Sequence, residues 1–332
     1  MKSLLRTLTE TAAPSGKEDE LRTIVQQMIQ PHADEVRVDA LGNLIARKGR
    51  QSTKGRRILL AAHLDEIGLV VSHVDAKGFA RFSALGGLAL HRRVGTRVRF
   101  LNGARGVIGL ERAAEQKDRA PGIDKYFIDT GAAGAKNLPV KVGDAAVYDS
   151  TFFDLGDRVL SKAFDDRLGV ALLIETLRTL SSTPHEIDFV FTVQGEVGAH
   201  GAGPAAFGLD PEIALALDVC SASDTPNASD RNPIALGHGP AITVKDSGMV
   251  ADPHLVDVMT RLAEKNHIPH QFETAEAAST DAHAMQIAGA GARAGGLSVP
   301  IRNLHSPSEM VDYQDLQDAA RLLMALLRST DL

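Results

Sequence analysis

An α/β fold with a small β-sandwich or barrel inserted into it follows from three features of the 332-residue chain. Three largely apolar runs, Ile58–Ala62, Ile187–Val193 and Ile213–Leu217, have the length and composition of buried strands. Segments of helical character separate them, as an α/β sheet requires. Between about 69 and 157 the pattern changes to short alternating runs divided by Gly and Asp turns, the signature of a compact antiparallel unit. Length agrees, because a chain of this size exceeds what one core usually accommodates.

Taken in order, Ser15-Gly16-Lys17-Glu18 has the form of a capping box. Leu21, Ile24, Val25, Met28 and Ile29 then share one face of a helix over about 16–30, stopped by Pro31. Val36–Asp39 and Leu44–Ala46 form a hairpin across Leu41-Gly42-Asn43. The strand Ile58–Ala62 ends in His63-Leu64-Asp65-Glu66-Ile67-Gly68. The inserted unit has runs at Leu69–Val74, Phe79–Ser83, Thr96–Phe100, Val107–Leu110, Tyr126–Asp129, Val140–Val142 and Ala145–Tyr148. Val159-Leu160-Ser161 marks the return, and a helix apolar on most faces runs from Arg167 to about Leu180. Ile187–Val193 leads into Gln194-Gly195-Glu196-Val197-Gly198-Ala199-His200-Gly201, whose small residues let the backbone turn sharply into a helix. The strand Ile213–Leu217 ends at Asp218. Asp252-Pro253 caps a helix of about 254–266, and Ser279-Thr280-Asp281 opens a short one halted by Gly289. Ala294–Val299 is a strand, and Asp312 caps a last helix with Leu316, Ala319, Ala320, Leu323 and Leu327 on its apolar face.

Bulk properties narrow the function. A formal charge of −6 argues against a nucleic-acid surface, since phosphate binding needs a basic face. The single Cys220 excludes an intrachain disulfide and a cysteine-built zinc site. The start lacks a signal-peptide core and no uncharged apolar stretch could span a bilayer, so a cytoplasmic location without a membrane partner is expected.

Chemistry concentrates beside strand and helix ends. In an open α/β sheet, residues just past the carboxyl ends of strands face the ligand crevice, and Glu196 is such a residue. His63 and Asp65 lie two apart on an extended backbone and point to one side, so the carboxylate can take one ring N–H and leave the other nitrogen for a metal. An H-x-D pair alone is more often a satisfied histidine. Asp165 and Asp166 at a helix start also have a plain capping explanation. Asp218, ending an apolar strand, would be costly to bury unpaired. Together His63, Asp165, Glu196, Asp218 and His305 carry too many negative groups for one zinc, and suit two borderline divalent ions sharing a bridging carboxylate.

On these motifs the sequence resembles the M42 metallo-aminopeptidases, the glutamyl and tetrahedral aminopeptidase group. The likeness spans nearly the whole chain: Pro14-Ser15-Gly16-x-Glu18, Asp39-x-Leu41-Gly42-Asn43-Leu44, Ala62-His63-x-Asp65-Glu66-Ile67-Gly68, Lys162-Ala163-Phe164-Asp165-Asp166-Arg167, Gln194-x-Glu196-Val197-Gly198, Thr280-Asp281-Ala282 and His305-Ser306-Pro307-x-Glu309-Met310. The resemblance implies a co-catalytic metallopeptidase fold with a mixed central sheet flanked by helices. Residues 1–70 and 158–332 would form the catalytic domain, and 71–157 an inserted β domain serving self-association, up to a dodecamer. It also implies two divalent ions (Zn, Co or Mn), one held by His63 and Asp218 and one by Glu196 and His305. Asp165 would bridge them and be joined to Asp166 by a cis peptide. Asp65, orienting His63, is the implied catalytic residue. The implied reaction is hydrolysis of a peptide or amide bond of a small substrate by metal-activated water.

One departure matters. In that family the motif reads Q-E-E-V-G, its first Glu acting as the general base; here that position is Gly195. A positioned base is worth about 10²–10⁴ in rate. His200, one helical turn beyond Glu196, and Glu66, following Asp65, are the candidate replacements. Three readings follow: an aminopeptidase-type hydrolase with a substitute base, a two-metal enzyme with a different reaction on a small polar substrate, or a peptidase-inactive metal-binding or scaffold subunit. Retention of all five candidate ligands favours the first two, because buried carboxylates are expensive for a scaffold.

Overall fold

A computed structural model describes residues 1–112, 121–228 and 232–332. The chain opens with helices α1 (Lys2–Glu10) and α2 (Asp19–Ile29), followed by strands β1 (Glu35–Val38), β2 (Leu44–Lys48) and β3 (Arg57–His63). Strands β4 (Gly68–Val74), β5 (Ala80–Leu85), β6 (Arg97–Phe100), β7 (Arg105–Leu110), β8 (Tyr126–Asp129) and β9 (Ala145–Tyr148) come next. They close into a barrel of order β4-β5-β8-β7-β6-β9, filled by residues such as Phe82, Val98, Phe100, Ile108 and Tyr126. The chain then returns through β10 (Phe153–Asp154), β11 (Arg158–Ser161), α3 (Phe164–Thr179), β12 (Glu186–Thr192), α4 (Ala202–Leu209) and β13 (Ile213–Ser221). It finishes with β14 (Ala241–Lys245), α5 (Pro253–Lys265), β15 (Gln271–Thr274), α6 (Asp281–Gln286), β16 (Arg293–Arg302), β17 (Glu309–Asp312) and α7 (Tyr313–Arg328).

The main sheet runs β1-β2-β12-β3-β13-β16-β17-β11-β10, with β14 and β15 branching from β16. Its centre, β12-β3-β13-β16, is parallel, while the flanking pairs are antiparallel, so the sheet is mixed as expected. The alternation of β3 explains the two layers. Leu60 and Ala62 pack under α1, α2, α3, α5 and α7; Leu59 and Ala61 face the small residues of α4 and α6. Because β3, β12 and β13 are buried on both faces, only their ends are open for chemistry. Among the described residues, no helix is long and apolar enough to cross a membrane.

Several local expectations are corrected. Val140–Val142 is not a strand; its neighbours Lys141 and Asp144 are tied in a turn, the Lys141 N–H donating to Asp144 Oδ2 at 3.0 Å. The helix after Pro14 starts at Asp19, and Ser15 does not cap it. Strand β13 does not stop at Leu217 but continues through Asp218 to Ser221, paired with β16 along its whole length. Residues 194–201 form the expected turn into a helix, but α4 begins only at Ala202 and Gln194 (φ 58°) and Ala199 (φ 53°) are in the left-handed region, so His200 does not stand one helical turn from Glu196.

Candidate metal centre

Five side chains far apart in sequence meet at the carboxyl ends of the parallel strands. His63 closes β3, Glu196 lies in the turn after β12, and Asp218 lies near the end of β13. Asp165 sits at the irregular start of α3, where Asp165 and Asp166 are non-helical and joined by a cis peptide. His305 lies in the loop from β16 to β17, itself with φ 58°. His63 Nε2 is 3.0 Å from one Asp165 oxygen, and His305 Nε2 is 3.0 Å from the other. His305 Nε2 is also 3.4 Å from Glu196 Oε2. Ligand atoms of His63, Asp165 and Glu196 lie within 4.8 Å of one another, as do those of His63, Asp166 and Asp218.

A hydrogen-bond framework holds these groups from behind. Asp65 is fully buried: Oδ1 accepts the Gly195 N–H (2.7 Å), and Oδ2 accepts Ser15 Oγ–H (2.5 Å) and the Glu196 N–H (3.1 Å). It therefore fixes the 195–196 turn as well as sitting beside His63, whose Nδ1 is 3.4 Å from Oδ1 and 3.0 Å from the Asp65 carbonyl. Asn43 clamps the same turn, accepting the Val193 N–H at 3.0 Å and donating to the Gly201 carbonyl at 3.0 Å. Glu18 accepts the Gln194 N–H at 3.1 Å.

Two residues given no metal-site role by the sequence reading belong to this framework. Asp166, read there as a cap, accepts the His63 N–H (3.1 Å) and the Gly169 N–H (3.0 Å). Glu309 accepts the His305 N–H on Oε1 (2.8 Å) and the Phe164 and Asp165 N–H groups on Oε2 (2.6 and 3.3 Å), so one carboxylate sets both Asp165 and His305. The only signal for Glu309 was its presence in the His305-x-x-x-Glu309 spacing.

Neither proposed substitute base is placed for the task. Glu66 is buried, with Lys162 Nζ donating to both its oxygens at 2.7 and 2.6 Å and Arg167 nearby at 3.5 Å. His200 is exposed and faces Gln194 Oε1 at 3.2 Å. At Gly195, an added Cβ would fall 2.4 Å from His63 Cγ and 2.6 Å from its Cβ, so the imidazole occupies the space a side chain would need.

The electrostatics call for cations. Burial would lower the His63 and His305 pKa values, but the Asp165, Asp65 and Glu196 carboxylates outweigh it, raising His63 well above normal and His305 to about 11. Asp165 is also desolvated, yet hydrogen bonds from both histidines hold it well below the usual carboxylate range. Glu196 and Asp218 are raised by burial and then by the charge of Asp165, and Glu309 by the same two causes to about 8. Glu196 Oε1 is buried without a hydrogen-bond partner among the described residues. An orphaned carboxylate oxygen and mutually repelling carboxylates around two imidazoles fit divalent metal ions, which the donor set of nitrogen and oxygen also suits.

A mixed-sheet fold carrying such a cluster at its strand ends defines a metal-dependent hydrolase. The chain belongs to the M42 glutamyl aminopeptidase family, whose model matches residues 42–322. It is 33% identical over 338 aligned positions to the lysyl aminopeptidase of Pyrococcus furiosus, covering 98% of this chain and 96% of that protein. An aminopeptidase structure from the archaeon Desulfurococcus kamchatkensis superposes with a TM-score of 0.93 at 36% identity, covering 98% of this chain and 94% of the other. The TET1 peptidase of Pyrococcus horikoshii, which can assemble into a tetrahedron or a large octahedral shell, matches with a TM-score of 0.86 at 32% identity over 98% of both chains.

Proposed function

We propose that this chain is a two-metal aminopeptidase acting on small peptides or related amides. One divalent ion would be held by His63 and Asp218 and a second by Glu196 and His305, with Asp165 shared between them. The observation that carries this reading is Asp165, whose two oxygens each face a different histidine at 3.0 Å. Zinc, cobalt or manganese would suit these donors. When bound, such ions polarise a carbonyl and lower the pKa of water.

The protein's own groups do the positioning. Asp65 holds His63 and the 195–196 turn in register, and Glu309 does the same for Asp165 and His305. The two carboxylates let the site accept cations without rearranging its backbone. The β4–β9 barrel, most of which lies in the segment 71–157, is the proposed self-association domain; the TET1 peptidase of Pyrococcus horikoshii, similar over nearly the whole chain, can assemble into a tetrahedron or a large octahedral shell.

One observation favours a second reading of the substrate. With Gly195 beneath the His63 ring, Glu66 ion-paired with Lys162, and His200 exposed, neither substitute base offered by the sequence is placed to carry a proton to an amine leaving group. Hydrolysis of an amide would be slowed by about 10²–10⁴ relative to a site with a positioned base. Esters and activated amides, whose leaving groups need less help, would be the faster substrates. The test is hydrolysis of aminoacyl p-nitroanilides and the matching esters by protein loaded with Zn²⁺, Co²⁺ or Mn²⁺. Activity should vanish with a chelator, fall at least about a hundredfold in His305→Ala, and favour the esters. Turnover that survives both the chelator and His305→Ala would overturn the assignment.

A further inference from the structure

The cavity at the metal centre, about 420 Å³, is lined by the five candidate ligands and by a second set of residues, taken together here as a side compartment. Its walls there include Asp246, Glu273, Asp281, Thr280 and His283, and no Lys or Arg is among the described lining residues. The three carboxylates are not equivalent. Asp246 is a brace, one oxygen accepting the Gly248 and Met249 N–H groups and the other the Thr280 N–H. Asp281 accepts Thr192 Oγ–H at 2.5 Å on Oδ2 and, like Glu273, has a second oxygen with no donor among the described residues, but it already stands in the field of the His63 imidazole. Glu273 is only 5% exposed, and its Oε2 accepts Thr243 Oγ–H at 2.8 Å and Ser298 Oγ–H at 3.3 Å. No described residue donates to Glu273 Oε1, on a side chain that lines the cavity.

The sheet register sets where this oxygen stands. Ser298 on β16 is the direct neighbour of Asp218 on β13, and its hydroxyl reaches on to Glu273. Glu273 on β15 is in turn paired with Thr243 on β14. Glu273 is thus carried on the sheet's side branch, displaced sideways from Asp218 and opening into the same cavity. A nearly buried carboxylate with an oxygen to spare and no cation beside it among the described residues selects a positively charged partner. An apolar or anionic group placed there would leave it unpaired.

We infer that this compartment receives the cationic side chain, lysine or arginine, of the substrate residue whose carbonyl lies at the metal centre, and that Glu273 reads it. This deepens the aminopeptidase reading and rests on it. The same ammonium chemistry is offered by a substrate's α-amino group, so the experiment separates the two sources. Metal-loaded protein is titrated calorimetrically with L-lysine, L-norleucine and L-glutamate, and kcat/KM is measured for lysyl, arginyl, leucyl and glutamyl p-nitroanilides.

Lysine should bind at least about tenfold more tightly than norleucine, which shares its α-amino group and chain length but lacks the side-chain charge. The lysyl and arginyl substrates should show a similar advantage in kcat/KM. Glu273→Gln should bring lysine to the norleucine level and collapse the lysyl-to-leucyl ratio. Equal binding of lysine and norleucine by the unaltered protein, a comparison that needs no variant, would overturn the inference. So would a Glu273→Gln protein that weakens both amino acids equally, which would make Glu273 the reader of the α-amino group. Efficient cleavage without preference for basic residues would overturn the pocket and leave the aminopeptidase reading standing. Selective lysine binding with no turnover of any substrate would do the reverse.

Discussion

The two regions of the one cavity are built on opposite principles. Behind the metal centre, Asp65, Asp166 and Glu309 present six carboxylate oxygens, and each accepts at least one backbone N–H. In the cavity wall Glu273 is braced through one oxygen by two hydroxyls while the other has no donor among the described residues. The difference separates two jobs. Saturated acceptors lock the ligand geometry before any cation arrives, which keeps the donors from having to reorganise. A half-satisfied acceptor is a poor brace but a good discriminator, because only the right partner completes it.

Substitutions that disturb the saturated region should be far more damaging than those at the half-satisfied one. Gly195→Glu is expected to do the most harm. If Gly195 has simply disabled an ancestral peptidase, the sequence predicts that returning the acid raises activity on aminoacyl p-nitroanilides at least tenfold, and no gain would indicate a pocket rebuilt for other chemistry. The geometry reverses that sign: the new Cβ would overlap the His63 ring at 2.4 Å, and the ring is hemmed in by Asp65 and Asp165. Metal content and kcat/KM should both fall, the latter by roughly a hundredfold or more, as expected when a reacting centre is misplaced by about an ångström. A tenfold gain would mean that the turn relaxes freely and that the base alone was missing.

Glu309→Gln comes next. The amide keeps the shape but has one acceptor oxygen, so at least one of the three N–H groups held by Glu309 loses its partner. Metal affinity measured against a competing chelator should weaken by about 10–100-fold with the fold retained. An unchanged affinity would show that His305 and Asp165 are held by something else. The selectivity change at Glu273 is the smallest of the set, since it alters preference rather than the chemistry.

Much of the fold could be read directly because its central strands are largely apolar runs that any sheet must bury. Strands β14, β15 and β17 escaped because they are only four or five residues long and mix polar with apolar positions. Helix α1 escaped for a related reason: its buried leucines alternate with charged and hydroxyl residues in a nine-residue segment. Ser15 shows how a local rule loses to a distant partner, its hydroxyl bonding Asp65 fifty residues on rather than capping the helix beside it. The five candidate ligands were legible as residue types beside strand or helix ends. The roles of Glu309 and Asp166 were not, because their work is to accept backbone N–H groups from remote segments, which the motifs that contain them do not reveal.

The central claim is that Asp165 joins two cation sites, and metal stoichiometry tests it most directly. Titrating the metal-free protein with Zn²⁺ or Mn²⁺ should give two ions per chain and release protons, because His305, pushed up to about 11, is protonated at neutral pH and must deprotonate to bind. Asp165→Ala should lose both ions at metal concentrations that saturate the unaltered protein. A single ion per chain, or an Asp165→Ala protein that still binds two, would contradict the account.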